Sequence, residues 1–273
     1  MALVAVLWIV AALSIAVTGI VHTIRTETRA ASAARRMVEL QAVGEAAIAL
    51  ALQGMTAPQA GPRAAWRRVE VPYDGQVITV EIGTLNGLVD INRASPELLA
   101  ALYAVAGGRN AQAAAALAQA TIQTRLQPDA SGRPLQFEAT EDLMRVPGFD
   151  YDLYARLRPL VTADAQGSGR VNAQAAPQAL LSVLAEGNTA RAAALSNARL
   201  QGGQAMDTST LHGEFIDNAV GSRYRLQAFV PIADGAQGVV LRVVDLNPDQ
   251  RAGLPWRILN AETWMHAPPV NGV

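Results

Sequence analysis

The residues that could do chemistry are few and scattered. Three histidines occur, His22, His212 and His266, and none lies in the His-Glu-x-x-His arrangement that puts two imidazoles on one helix face for a metal. The chain has no cysteine, which removes thiolate nucleophiles, thiolate metal sites and a disulfide framework. No Gly-x-Ser-x-Gly elbow or phosphate-binding P-loop is present, and Gly167-Ser168-Gly169 falls in the linker-like run Asp164 to Arg170. Asp207, Glu214 and Asp217 read as solvated loop carboxylates and not as an acid/base pair. No catalytic residue and no enzymatic activity are expected.

Binding chemistry is also sparse. The net charge is −1, from 22 basic and 23 acidic residues, and every basic residue is arginine. That balance gives no overall attraction to nucleic acid or anionic lipid. One local motif runs against it. Val146-Pro147-Gly148-Phe149 between two short helices resembles a helix-hairpin-helix, whose Gly-rich turn binds DNA phosphate through backbone N–H groups. A second glycine is wanted two residues after the first, and Asp150 stands there, a negative charge where a phosphate would sit. A membrane-anchored DNA-binding module is therefore the alternative function.

The element that positions everything else comes first. Met1 to Val21 contains no charge, and a helix of that length, at ~1.5 Å per residue, crosses a ~30 Å hydrocarbon core. Met1, Leu7, Trp8, Leu13 and Val21 mark this expected span, and its apolar residues cover every side of the helix. A signal peptide would have a basic start and a cleavage site, and neither is evident. A buried core helix is the other competing reading, against which stands the length of the run. The arginines after the span would put the body in the cytoplasm by the positive-inside rule; a leader removed from the front would leave that rule nothing to count. From Thr23 the same helix gains charge and continues into water to about Gln53. Ala30, Ala34, Ala42 and Ala46 give it small positions at which a partner helix can approach.

Met55 to Gly61 breaks the helix. Trp66 to Val71 and Val77 to Ile82 alternate around Asp74-Gly75, which predicts a tight β-hairpin. Ser95-Pro96-Glu97 caps a helix to Val105. Further helices are expected over Asn110 to Gln123, from Thr140, over Tyr151 to Leu157, and over Gln178 to Leu184. The segments GLVDINRASPELLAAL and GRVNAQAAPQALLSVL form a weak internal repeat about eighty residues apart. Strand returns at Ser222 to Pro231 and Val239 to Leu246, joined by a turn at Ala233 to Ala236, with a short addition at Trp256 to Leu259. The fold class expected is α+β: a long N-terminal transmembrane helix, an antiparallel sheet, and a large all-α domain inserted between its strands. The divisions are 1–54 span and stalk, 62–87 first part of the sheet, 88–200 helical insertion, 201–262 second part of the sheet, and 263–273 tail.

The order of these segments resembles the minor pseudopilin K family of the bacterial type II secretion system. The resemblance is carried by MALVAVLWIVAALSI, GLVDINRASPELLAAL, FEATEDLMRVPGFDYDLYARLRPLVTA, GRVNAQAAPQALLSVL and NAVGSRYRLQAFVPI, which together cover most of the chain. It implies a single-pass inner-membrane protein with its globular part in the periplasm. Met1 would be the first mature residue, methylated after a prepilin peptidase removes a short basic leader. Ala5 fits a family that lacks the Glu most pseudopilins carry there. The implied role is the tip of the pseudopilus, with the I and J pseudopilins as partners and H as a further candidate. From there it would initiate assembly on the inner-membrane platform and help export folded proteins across the outer membrane. The resemblance also implies calcium in an acidic loop of the insertion. The corresponding loop, QPDASGRPLQFE, offers Asp129 and Glu138, with Glu141 and Asp142 nearby, against the ~6–8 oxygens calcium takes, so no cofactor is expected.

Overall fold

In the computed structural model, the described residues are 2–57, 59, 61–128, 132–201, 206–232, 236–247, 253 and 255–266, with the side chains of 2–5, 9–26 and 266 excluded. A single helix, α1 (Ala2–Thr56), opens the chain. Strands β1 (Trp66–Tyr73) and β2 (Gln76–Thr84) follow as the expected hairpin. Asp74 and Gly75 both take positive φ, 50° and 71°, as a two-residue turn between right-twisted strands demands. The other sheet strands are β7 (Arg223–Pro231), β8 (Gln237–Asp245) and β9 (Arg257–His266). They complete an antiparallel sheet of order β1-β2-β7-β8-β9. The first hairpin and the late strands thus share one sheet, through pairs such as Val80 with Ala228 and Ile82 with Leu226.

The chain between β2 and β7 builds a second core. It comprises β3 (Val89–Asp90), α2 (Pro96–Val105), α3 (Ala111–Leu126), α4 (Tyr151–Leu157), β4 (Val161–Thr162), β5 (Val171–Asn172), α5 (Gln178–Leu184), α6 (Thr189–Gln201) and β6 (Ile216–Asp217). Ser95 caps α2 by accepting from Leu98 N, Asn110 caps α3 by accepting from Ala113 N, and Asp150 caps α4 by accepting from Leu153 N. Leu98, Leu99, Leu102 and Tyr103 of α2 are buried with Leu153, Leu157, Leu180 and Leu184.

Several expectations need correction. The insertion is not all-α. It contains two short parallel pairs, β3 with β4 and β5 with β6, each two residues long and too short to show a period in sequence. It also runs past residue 200, because Met206 and Leu211 join its core and β6 pairs with β5. Thr140–Arg145 is a 3₁₀ turn and not an α-helix. Strand β9 is ten residues, reaching His266 and so entering the stretch read as tail. The turn expected at Ala233 to Ala236 lies largely outside the described residues.

The weak repeat has a structural counterpart. In each copy a short strand ends in an Asx turn and leads into a helix. Asp90 Oδ1 accepts from Asn92 N at 2.8 Å, and Asn172 Oδ1 accepts from Gln174 N at 3.0 Å.

Candidate assembly interface

Two faces of α1 do different work. Leu40, Ala47, Ile48, Ala51 and Leu52 recur at helical spacing and are buried against Ile78, Val80, Ile82, Leu226, Ala228 and Val240 of the sheet. Two glycines set the depth of this contact. A Cβ at Gly44 would stand 2.7 Å from Val240 Cβ, and one at Gly238 would stand 2.5 Å from Leu40 Cγ. Only hydrogen at both positions lets helix and strand β8 approach this closely. A charged latch lies alongside. Arg242 is 5% exposed, donates to Leu241 O at 2.7 Å and Glu262 O at 3.1 Å, and pairs with Glu45 on the helix. Hydrogen bonds from Gln41 and from Arg242 hold the Glu45 carboxyl below its usual range.

Further toward the N-terminus the helix stands clear of the sheet. Residues 27 to 39 are exposed apart from the half-buried Met37. Ala30, Ala34 and Ala42, expected partner positions, are all exposed, whereas Ala46 is half-buried. Val38 falls between Ala34 and Ala42 on the same i, i+4 line and is 67% exposed. Small residues flanking one exposed valine make a narrow apolar seam that another helix can approach closely.

Among the described residues no helix is long and apolar enough to cross a membrane. Leu7 and Trp8 of the expected span are exposed, at 69% and 73%, while the side chains of Met1, Leu13 and Val21 lie outside the described residues.

Two of the carboxylates read for calcium have other partners. Asp142 Oδ2 accepts from Glu138 N at 2.8 Å and Ala139 N at 3.3 Å, and Oδ1 lies 3.4 Å from Arg145 Nη1. Glu141 accepts from the Tyr154 hydroxyl at 2.8 Å, Glu138 is exposed, and Asp129 lies outside the described residues. No group of three possible metal-ligating side chains occurs among the described residues.

At the Val146 to Phe149 turn Gly148 has φ +88°, and Asp150 both caps α4 and pairs with Arg109. His212 stacks on Phe215 at 4.1 Å, and the side chains of His22 and His266 lie outside the described residues. Asp207 accepts from Ser209 N and Asp217 from Ala219 N, both as turn carboxylates, and Glu214 is exposed.

Sequence reasoning passed over Gly44, Gly238 and the Glu45–Arg242 latch. The signal for them was a lone arginine inside the apolar run VVLRVVDL, which a strand tolerates only when the charge finds a partner.

No protein-family model and no curated protein sequence matches the chain. A structural likeness covers 88% of this chain and 98% of a chain in the GspK-GspI-GspJ complex of the type 2 secretion system from enterotoxigenic Escherichia coli, at 15% identity and a TM-score of 0.47.

Proposed function

We propose that this chain is a minor pseudopilin of the type II secretion system, standing at the tip of the pseudopilus with the I and J pseudopilins and priming its assembly at the inner-membrane platform. The observation that carries the reading is the division of α1. Its C-terminal half is fixed to the sheet by close glycine contacts, and its middle presents an apolar seam that its own fold leaves bare. A helix with that seam suits a bundle of like helices, and the sequence resemblance names the family in which such bundles form. The insertion between β2 and β7, larger than the sheet it interrupts, is too bulky for the interior of a thin filament and suits its end. We further propose that residues 1–21 anchor the chain in the inner membrane, that the globular part lies in the periplasm, and that Met1 is exposed by prepilin peptidase and methylated.

Co-purification tests the reading. Ala34→Phe and Ala42→Phe place a ring on the seam without entering the core, so both should leave circular dichroism unchanged and weaken recovery of the I and J pseudopilins. Full recovery with both variants would remove the seam as the assembly surface.

A further inference from the structure

The sheet has two edges, and they differ. Strand β1 is defended against pairing by Arg67, Arg68 and Glu70 and by Pro72, which has no N–H to donate. Strand β9 has no proline; it carries two charges, Arg257 and Glu262, and a register shift opposite Val243 and Val244, and no further strand lies beside it among the described residues. Ile258 and Met265 are 55% and 44% exposed, and Arg257, Asn260 and Ala261 of the same strand are also open. Such an edge offers a row of main-chain N–H and C=O groups to any extended segment that reaches it.

Beside this edge lies a cleft of about 820 Å³ between the outer face of the sheet and the insertion. Asn260, Glu262 and Trp264 of β9 line it together with Leu241 and Val243. Its charges do not balance locally. Arg158 Nη2 donates to Glu262 Oε2 at 2.6 Å and also attracts Glu141, while Glu138 stands exposed at the same cleft. The other cation of the cleft, Arg225, donates to Pro159 O at 3.4 Å and is drawn to Glu81, and Asp164 is paired with Arg223. The lining thus carries four carboxylates, of Glu138, Glu141, Asp164 and Glu262, against the two guanidinium groups of Arg158 and Arg225.

We propose that β9 is an acceptor edge for an extended segment of another protein chain, which adds as a sixth strand and reaches a lysine or arginine side chain into the cleft beside Glu262 and Glu141. The main-chain ladder supplies affinity, and the excess of carboxylates over guanidinium groups in the cleft selects the cationic side chain. This surface is separate from the α1 seam and does not depend on the assembly role.

The test uses the full chain in mild detergent and a nine-residue peptide alternating threonine and valine around a central lysine. Two controls accompany it, one with glutamate at the centre and one N-methylated at alternate amides. The lysine peptide should slow hydrogen exchange of the β9 amides. The glutamate peptide should bind about three- to fivefold more weakly, the scale of one partly exposed ion pair, and the N-methylated peptide should not bind. Glu262→Gln should narrow the lysine-to-glutamate ratio while β9 protection persists. Equal affinity of the two charged peptides, or no protection of β9, overturns the proposal. Protection of β9 that rises with protein concentration in the absence of peptide also overturns it, in favour of pairing between two copies of this chain.

Discussion

Replacing Asp90 by asparagine should stabilise the protein at neutral pH. Asp90 is 4% exposed at the end of β3, and its Oδ2 has no hydrogen-bond partner. Burial pushes its carboxyl from 3.8 up to about 6, against the lowering effects of the Asn92 N–H and of Arg93 and Arg125. Between those two values the folded protein binds more protons than the unfolded chain, so stability falls as pH rises from about 4 to about 6 and stays reduced above. At ~1.4 kcal/mol for each tenfold change, the ionised carboxylate costs folding about 3 kcal/mol at pH 7.5. Asparagine keeps the Oδ1 acceptor for Asn92 N, and the repeat already carries Asn172 at the matching position, with its Nδ2 donating to Ala219 O at 2.9 Å. What asparagine forfeits is the attraction of Arg93, whose Nε stands 3.9 Å away on a side chain 59% exposed and which is worth less than ~1 kcal/mol, and the longer-range attraction of Arg125. The net gain expected is about 1–3 kcal/mol, or roughly 3–8 °C in Tm. Thermal melts of wild type and Asp90→Asn at pH 4 and pH 7.5 are the assay, with the difference near zero at pH 4 and full at pH 7.5. A variant no more stable than wild type at pH 7.5, or a difference equal at both pH values, would refute the reasoning.

Gly238→Ala puts a methyl into Leu40 and should lower stability by about 1–3 kcal/mol in chemical denaturation, the cost of overpacking. Glu45→Ala leaves Arg242 buried without its carboxylate and should cost about 1–3 kcal/mol, less than a fully buried pair because Glu45 is 47% exposed; Gly44→Ala, which clashes with Val240, offers an independent check that α1 has loosened from β8. Calcium or a chelator should move the melting temperature by no more than the scatter of the measurement, whereas a ligand at ~100 times its Kd would add about 2.7 kcal/mol.

Elements with strong local signals were legible in the chain. The β1–β2 hairpin announces itself through β-branched alternation around Asp74-Gly75, and α2 through Ser95-Pro96-Glu97. What stayed hidden is set by tertiary contact. Val89–Asp90 and Val161–Thr162 become strands only because each finds the other, more than seventy residues away in the chain. In β9 the register shift opposite Val243 and Val244 interrupts the alternation, and Ala261 and Glu262 are weak strand formers, so only its first residues looked extended. Residues 140–145 carry helix-forming side chains but stop at Val146-Pro147, and one short 3₁₀ turn is all that fits. For the candidate interface, the small residues of α1 were visible, but which of them face the sheet was not: Ala46 and Ala47 are neighbours in sequence and differ in burial because Ala47 alone points squarely at the sheet. Asp90 and Arg242 read as ordinary polar residues of a strand end and a strand, and their burial appears only once the elements are packed.

The central claim is that the exposed seam of α1 is where this chain meets other pseudopilin helices at the end of a filament. Its most direct test is photocrosslinking in cells from a benzophenone side chain at position 34. The account requires discrete products with the I or J pseudopilin and none at position 48, where Ile48 is buried on the sheet. A ladder of self-crosslinked copies, or equal crosslinking from positions 34 and 48, would contradict it.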